Sequence, residues 1–338
     1  MLVVLSIVMA VVPMVGMLLL IWWTDRYHRE PLWLFGLTFL WGGIGGVIFA
    51  LIGNTALDIT LTPVAFLLDQ AANSGQAFQI AIGPTIVAPL VEEPAKAIIL
   101  LVIITSRQFD NITDGFVYGA AAGLGFGMTE NALYFLSVVG DSQVWFDTVA
   151  IRTAFSAVMH GTATAMVGAG LGWGRFRGWP GMLVGGTIGM GLALSLHAMW
   201  NGLLTMGATT EYHAFLSRLD LFLLPIIVAI VIACFQLSLF VQSRTILREL
   251  TDEARLGTLP LDHARIVASW FKRQRYTWVP EGVDHRRYVD AATTLALRKY
   301  QCRLPRGRRV PFYQDDVLRL RKQIKAMLEH SKWDGDPD

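Results

Sequence analysis

Two adjacent carboxylates, Glu92 and Glu93, sit in the middle of the apolar run AIGPTIVAPLVEEPAKAIILLVIIT, Ala81 to Thr105. At bilayer depth an ionised carboxylate is costly, so such residues persist where they do chemistry, conduct ions or pair with another charge. Three further apolar runs each carry one group of acid–base or metal-ligand type: Glu130, His160 and His197. Residues four apart share a helix face, and each polar group has a companion at that spacing. Lys96 follows Glu92, Phe126 precedes and Tyr134 follows Glu130, Thr164 follows His160, and Asn201 follows His197. The pattern points to an active site inside a membrane.

Two chemistries suit these groups. His160, His197 and a carboxylate such as Glu130 form a set able to hold a divalent metal with one position open to water, while a second glutamate takes the proton of that water. Alternatively a glutamate activates water without a metal, and histidine and Asn201 stabilise the oxyanion. The residues leave both open. An ion pair between Glu92 and Lys96 accounts for one carboxylate and leaves Glu93 unexplained. No serine stands in a nucleophile elbow, and Cys234 and Cys302 offer neither a disulfide nor a zinc spacing.

The elements that must position these groups are apolar helices. The 338 residues are 54% hydrophobic and 16% charged, against about a quarter charged in a soluble domain, and mean hydropathy is +0.47. Residues 243–338 hold 20 of the 28 Lys+Arg and 13 of the 26 Asp+Glu. The expected fold is therefore all-α: a polytopic transmembrane bundle over 1–242 and a basic, helical, cytoplasmic tail over 243–338. Runs of about 20 apolar residues mark spans. Seven are expected, near 2–23, 32–53, 80–105, 115–138, 151–172, 180–206 and 220–242. Asp58, Pro63, Asp69 and Asn73 interrupt 54–76, which reads as an outer loop with a short interfacial helix rather than an eighth span.

With the N-terminus outside, inner loops hold Arg26, Arg29, Arg107, Arg175 and Arg177, and outer loops only Arg152 and Arg218, as the positive-inside rule requires. In that topology Glu92, Glu130, His160 and His197 all lie about 8–12 residues from the outer end of their spans, roughly 12–18 Å deep at 1.5 Å per residue. Gly115, Gly119, Gly123 and Gly127 form one small-residue stripe and Gly181, Gly185 and Gly189 another, the pattern that lets helix backbones approach in lipid. In the tail, helices are expected near 244–256, 260–274, 283–302 and 313–332. Arg303, Arg306, Arg308 and Arg309 read as a solvated or lipid-facing basic patch; no nucleic-acid-binding motif accompanies them.

At the polar residues the chain resembles the PrsW family of intramembrane proteases, distant relatives of the CAAX prenyl-proteases and of the Aph-type subunit of gamma-secretase. The EExxK motif reads as Glu92, Glu93 and Lys96; FxxxE as Phe126 to Glu130, followed by Asn131 and Tyr134; the HxxxT-like element as His160 and Thr164; and HxxWN as His197, Trp200 and Asn201. Four motifs in order over about 80–202 make the match specific, and it does not reach the tail. The resemblance implies a bacterial multi-pass protease of the cell membrane, acting on a single-span or membrane-proximal protein such as an anti-sigma factor, with zinc or with glutamate and water alone. The competing readings are a proton- or ion-coupled transporter using the same groups as a relay, for which no internal repeat is present, and a non-catalytic membrane scaffold.

Overall fold

The computed structural model describes residues 1–74, 76–109, 111–209, 213–304 and 311–329. Among them every regular element is helical. The chain divides into two compact units. The first comprises Met1–Thr24, Glu30–Arg175 and Trp179–Phe235; the second comprises Asp25–Arg29, Phe176–Gly178 and Gln236–Asp338.

In the first unit, α1 covers Leu2–Thr24. α2 (Leu32–Leu40) continues through a π turn, Trp41–Gly46, into α3 (Val47–Ala72). α4 (Ala77–Ile82) continues through a second π turn, Gly83–Val87, into α5 (Ala88–Ile103). α6 is Ile112–Ser137. α7 (Ser142–Ile151) continues through a third π turn, Arg152–Ser156, into α8 (Ala157–Gly174). α9 (Gly178–Thr209) and the 43-residue α10 (His213–Arg255) follow, α10 belonging to the second unit from Gln236 onward. Among the described residues four stretches are long and apolar enough to cross a membrane: Leu2–Thr24, Leu32–Ala72, Ser142–Met206 and Arg218–Arg255. The charges of α5 and the many glycines of α6 keep those two helices out of that set.

α6 is the central helix. It starts at a reciprocal cap: Asn111 Oδ1 accepts from the backbone N–H groups of Thr113 and Asp114, and Asp114 accepts from the N–H of Asn111. From Thr113 to Gly127 it is buried throughout. Its glycine stripe packs on α8 so closely that a Cβ at Gly123 would stand 2.2 Å from the His160 carbonyl oxygen. The second stripe presses on the other side of α8, where a Cβ at Gly185 would stand 2.1 Å from the Gly170 oxygen. His160 is thus carried on a helix clamped from two sides by backbone contact.

Three expectations need correction. Residues 54–72 are not a loop: α3 continues unbroken to Ala72 with Pro63 inside it and ends at Asn73 in the left-handed conformation (φ 51°). A proline removes one helical hydrogen bond but need not end a helix that others hold, and Asp69 secures the turn that follows, accepting from Ser74 Oγ, from the backbone N–H groups of Phe78 and Gln79, and from Gln79 Nε2. Residues 244–256 are not a separate helix, because α10 runs through to Arg255. With no proline or glycine after Pro225 it stops only at Gly257 (φ 67°). The helix expected over 260–274 is two short ones, α11 (Leu261–Val267) and α12 (Trp270–Arg273), parted at Ala268–Ser269.

In the second unit α13 (His285–Arg303) and α14 (Pro311–Glu329) pack with α11 and the end of α10 around Ile246, Leu250, Val267, Tyr288, Ala292, Leu295 and Ile324. A charge network sits beside that core: Glu253 takes Arg321 at 2.7 and 2.8 Å, Lys299 at 3.0 Å and Thr258 Oγ1 at 2.9 Å. Of the basic patch, Arg303 meets Glu249 and Asp252, whereas Arg306, Arg308 and Arg309 lie outside the described residues, as do 330–332 of the last expected helix.

Candidate active site

The sequence-predicted groups converge within the first unit. Glu93, fully buried, accepts from Lys96 Nζ at 2.6 Å and from His197 Nδ1 at 2.7 Å on Oε1, and from Thr164 Oγ1 at 3.4 Å on Oε2. Lys96, also fully buried, lies 2.9 Å from His160 Nδ1 and 4.4 Å from the centre of the Phe126 ring. His160 Nε2 lies 2.7 Å from Glu130 Oε2, and Arg152 lies 2.6 Å from the same oxygen. The two imidazole rings pack edge to face, 4.9 Å between centroids. The Glu92 carboxylate accepts from Asn54 Nδ2 at 3.2 Å on Oε1, while its Oε2 is buried without a hydrogen-bond partner, 3.9 Å from His197 Nε2.

This network assigns protons. A lysine ammonium has only protons to give, so His160 Nδ1 accepts and the proton of neutral His160 lies on Nε2, toward Glu130. In the neutral ring, a His197 that donates from Nδ1 to Glu93 turns its Nε2 lone pair toward Glu92 Oε2, and two acceptors then oppose each other across 3.9 Å. A proton, a water or a cation between them turns an unfavourable contact into a favourable one.

Glu92, His160 and His197 each offer a ligand atom within 4.8 Å of the other two, so this group could hold a metal ion. One carboxylate oxygen and two imidazoles suit zinc and its neighbours, and the unpartnered Glu92 Oε2 is what such an ion would satisfy. His197 is already oriented by Glu93, the outer carboxylate–histidine arrangement common behind metal ligands. Both His160 nitrogens are engaged, so ligation there displaces Lys96 or Glu130. Glu130 stands outside this donor group, held by His160 and Arg152.

Lys96 pairs with Glu93, not with Glu92 as its four-residue spacing suggested. Three residues apart are also neighbours on a helix, and Glu93 is on the side of α5 that faces His160 and His197. Asn201 does not reach the carboxylates. Its Nδ2 donates to the Pro84 carbonyl at 2.8 Å. In the π turn the Ala88 N–H is spent on Gly83, and Pro89 has no N–H for Pro84, so Asn201 satisfies an acceptor that the backbone leaves open. Tyr134, half-exposed, lies under Arg152, whose guanidinium carbon is 3.6 Å from the ring centre.

Two residues of the site escaped the sequence reading. Asn54 falls just past the expected end of the second span, and Arg152 reads as an outer-loop charge. Helical spacing carries a signal for Arg152: with Ser156, His160 and Thr164 it forms a four-residue series on one face.

Apolar helices surrounding buried carboxylates and imidazoles that share one pocket of charge define a membrane-embedded enzyme. The family model of PrsW family intramembrane metalloproteases matches residues 30–234, more than half of the chain and every residue of the site. The chain belongs to that family and is a membrane protease. No curated protein and no solved structure matches it.

Proposed function

We propose that this protein is an intramembrane endopeptidase that hydrolyses a peptide bond of a membrane-anchored protein, with Glu92 at the centre of the chemistry. One observation carries the reading: a buried carboxylate oxygen of Glu92 with no hydrogen-bond partner faces an imidazole nitrogen whose proton is committed elsewhere. Glu92 Oε2 is the acceptor for the proton of the attacking water, and Asn54 on Oε1 holds the carboxylate in place. Glu93 fixes His197 so that Nε2 stays a lone pair at the reacting position, and Lys96 neutralises Glu93 so that this orienting charge is tolerated in an apolar interior. Glu130 receives His160 Nε2–H and keeps that imidazole in place beside Glu92 and His197. If a divalent cation such as zinc were held by Glu92, His160 and His197, Glu92 would be a ligand instead of the base, and the cation would supply Lewis acidity and make bound water more acidic.

The membrane arrangement proposed is seven spans, with the N-terminus outside and the tail in the cytoplasm. Its support is the grouping of the loops 25–29 and 176–178 in one compact unit with the chain from Gln236 onward, since those loops and the tail share a side in that topology and carry the basic excess. The protease domain is proposed to be 1–242, and 243–338 to be dispensable for chemistry. The substrate class proposed is a single-span protein cut toward the outer side, an anti-sigma factor of a bacterial cell being the substrate that the family resemblance suggests.

The test is cleavage of a model single-span protein by the purified full chain in detergent. Glu92→Gln should retain the fold and lose cleavage. Near-wild-type cleavage by that variant removes Glu92 from the mechanism and the proposal with it.

A further inference from the structure

Among the described residues, Arg152 is the strong cation at the site that none of the four motifs contains. It opens the π turn between α7 and α8, eight residues before His160. Its side chain is held from three directions. NH2 meets Glu130 Oε2 at 2.6 Å, Nε donates to Asn131 Oδ1 at 3.2 Å, and the guanidinium carbon stands 3.6 Å from the centre of the Tyr134 ring. The Arg152 carbonyl in turn accepts from Asn131 Nδ2 at 3.4 Å, so side chain and backbone are tied to the same turn of α6. An arginine fixed by a carboxylate, an amide and an aromatic face has lost most of its freedom, and a planar fork is needed to make all three contacts at once.

The consequence runs inward. His160 Nε2 lies 2.7 Å from Glu130 Oε2, and Arg152 NH2 forms an ion pair with the same oxygen at 2.6 Å. Removal of Arg152 frees the carboxylate to turn, and His160 loses the acceptor that keeps its proton on Nε2. His160 is then bonded to Lys96 alone.

We propose that Arg152 is a positioning residue for the hydrolytic reaction: by pinning Glu130 it keeps the His160 ring in one orientation and one tautomer between Glu130 and Lys96. The inference rests on the protease reading of the site, but its first measurement needs no turnover. Outer partners of active-site ligands are typically worth about 10–100-fold in activity or metal affinity, and that is the scale expected here.

The experiment compares wild type with Arg152→Gln and Arg152→Lys, each as the full chain in detergent. Nitrogen-15 spectra of histidine-labelled protein report the His160 ring, identified by its absence in His160→Gln. Arg152→Gln should change the His160 ring signals from a single Nε2–H form, and Arg152→Lys, which keeps a charge but not the fork, should change them in the same direction to a smaller extent. With a fluorogenic single-span peptide, Arg152→Gln should lower kcat by about 10–100-fold with KM within a few-fold, and Arg152→Lys should fall between it and wild type. Unchanged His160 signals, an unchanged kcat, or a loss confined to KM overturns the proposal. If Arg152→Gln does not fold, Arg152→Lys decides: reduced kcat with altered ring signals supports it, and wild-type values of both overturn it. Absence of any cleavage by wild type, with the ring signals responding as expected, sinks the protease reading and leaves the positioning role standing.

Discussion

Glu93→Gln should unfold the first unit more readily than Glu92→Gln, although the two residues are adjacent and chemically identical. Glu93 is the counter-charge of Lys96, and both side chains are fully buried at 2.6 Å. Neutralising Glu93 leaves an ammonium in an apolar interior without its counter-charge, beside a neutral amide, the His160 imidazole and the Phe126 ring. Breaking one side of a buried pair costs about 3–5 kcal/mol, or roughly 6–20 °C in melting temperature for a domain of this size. Glu92 is different: its one hydrogen bond is to Asn54, at 3.2 Å, so Glu92→Gln should cost about 1 kcal/mol or less. Thermal melts followed by tryptophan fluorescence in detergent measure both. The pairing itself is tested by Lys96→Met: the double variant Glu93→Gln/Lys96→Met should be more stable than the sum of the two single losses, because neither charge is then left alone. Equal melting of Glu92→Gln and Glu93→Gln, or strict additivity in the cycle, would refute the assignment of Lys96 to Glu93.

Other outcomes are expected from the same contacts. Gly123→Val should abolish activity and destabilise the chain by more than about 3 kcal/mol, since even its Cβ collides with the His160 carbonyl at 2.2 Å and no backbone between two clamped helices can yield; melts and cleavage rates check it. Purified wild type should hold about one equivalent of zinc or a similar ion by elemental analysis after dialysis, and His197→Ala should hold far less. The second unit should be acid-labile. Burial holds His263 down at about 4 against a slight pull upward from Asp262, so the unfolded chain gains the proton first and stability falls as pH drops from about 6.5 toward 4. Glu253 is pushed up by burial but held at about 2 by Arg321, Lys299 and Thr258, so its contribution is complete above about 4.5 and is lost as pH falls below that. Melts across this range should decline in both windows, and His263→Gln should flatten the upper one.

Much of the site was legible because membrane burial makes polar residues expensive. In a chain that is 54% hydrophobic, Glu92, Glu93, Glu130, His160 and His197 stand out without any structure, and a common depth on helices of opposite direction is enough to expect them near each other. The close pairs of helices were legible for the same kind of reason, since glycine at every fourth position has little use except to let another backbone approach. Helix ends were less so. Asp58, Pro63 and Asp69 look like a loop in sequence, but Asp58 and Pro63 lie inside α3 and Asp69 is satisfied at its end by local hydrogen bonds, and local satisfaction of that kind leaves no hydrophobic period to read.

What the sequence could not separate was the division of labour between neighbours. A four-residue spacing favours Glu92–Lys96, a three-residue spacing favours Glu93–Lys96, and both fit an ideal helix. α5 is not ideal at its start: the π turn at Gly83–Val87, with Pro84 inside it and Pro89 behind it, sets the rotation with which the helix delivers its carboxylates. The other two π turns act on the same site, one carrying the glycines at 41–46 against α6 and the other placing Arg152 on Glu130. An extra residue in a turn rotates everything beyond it by about 100° relative to a regular helix, so no constant period carried through from α4 can predict which face of α5 is turned toward His160 and His197. The sequence states which groups pay the cost of burial, and the irregular turns decide which of them is satisfied there and which remains open for reaction.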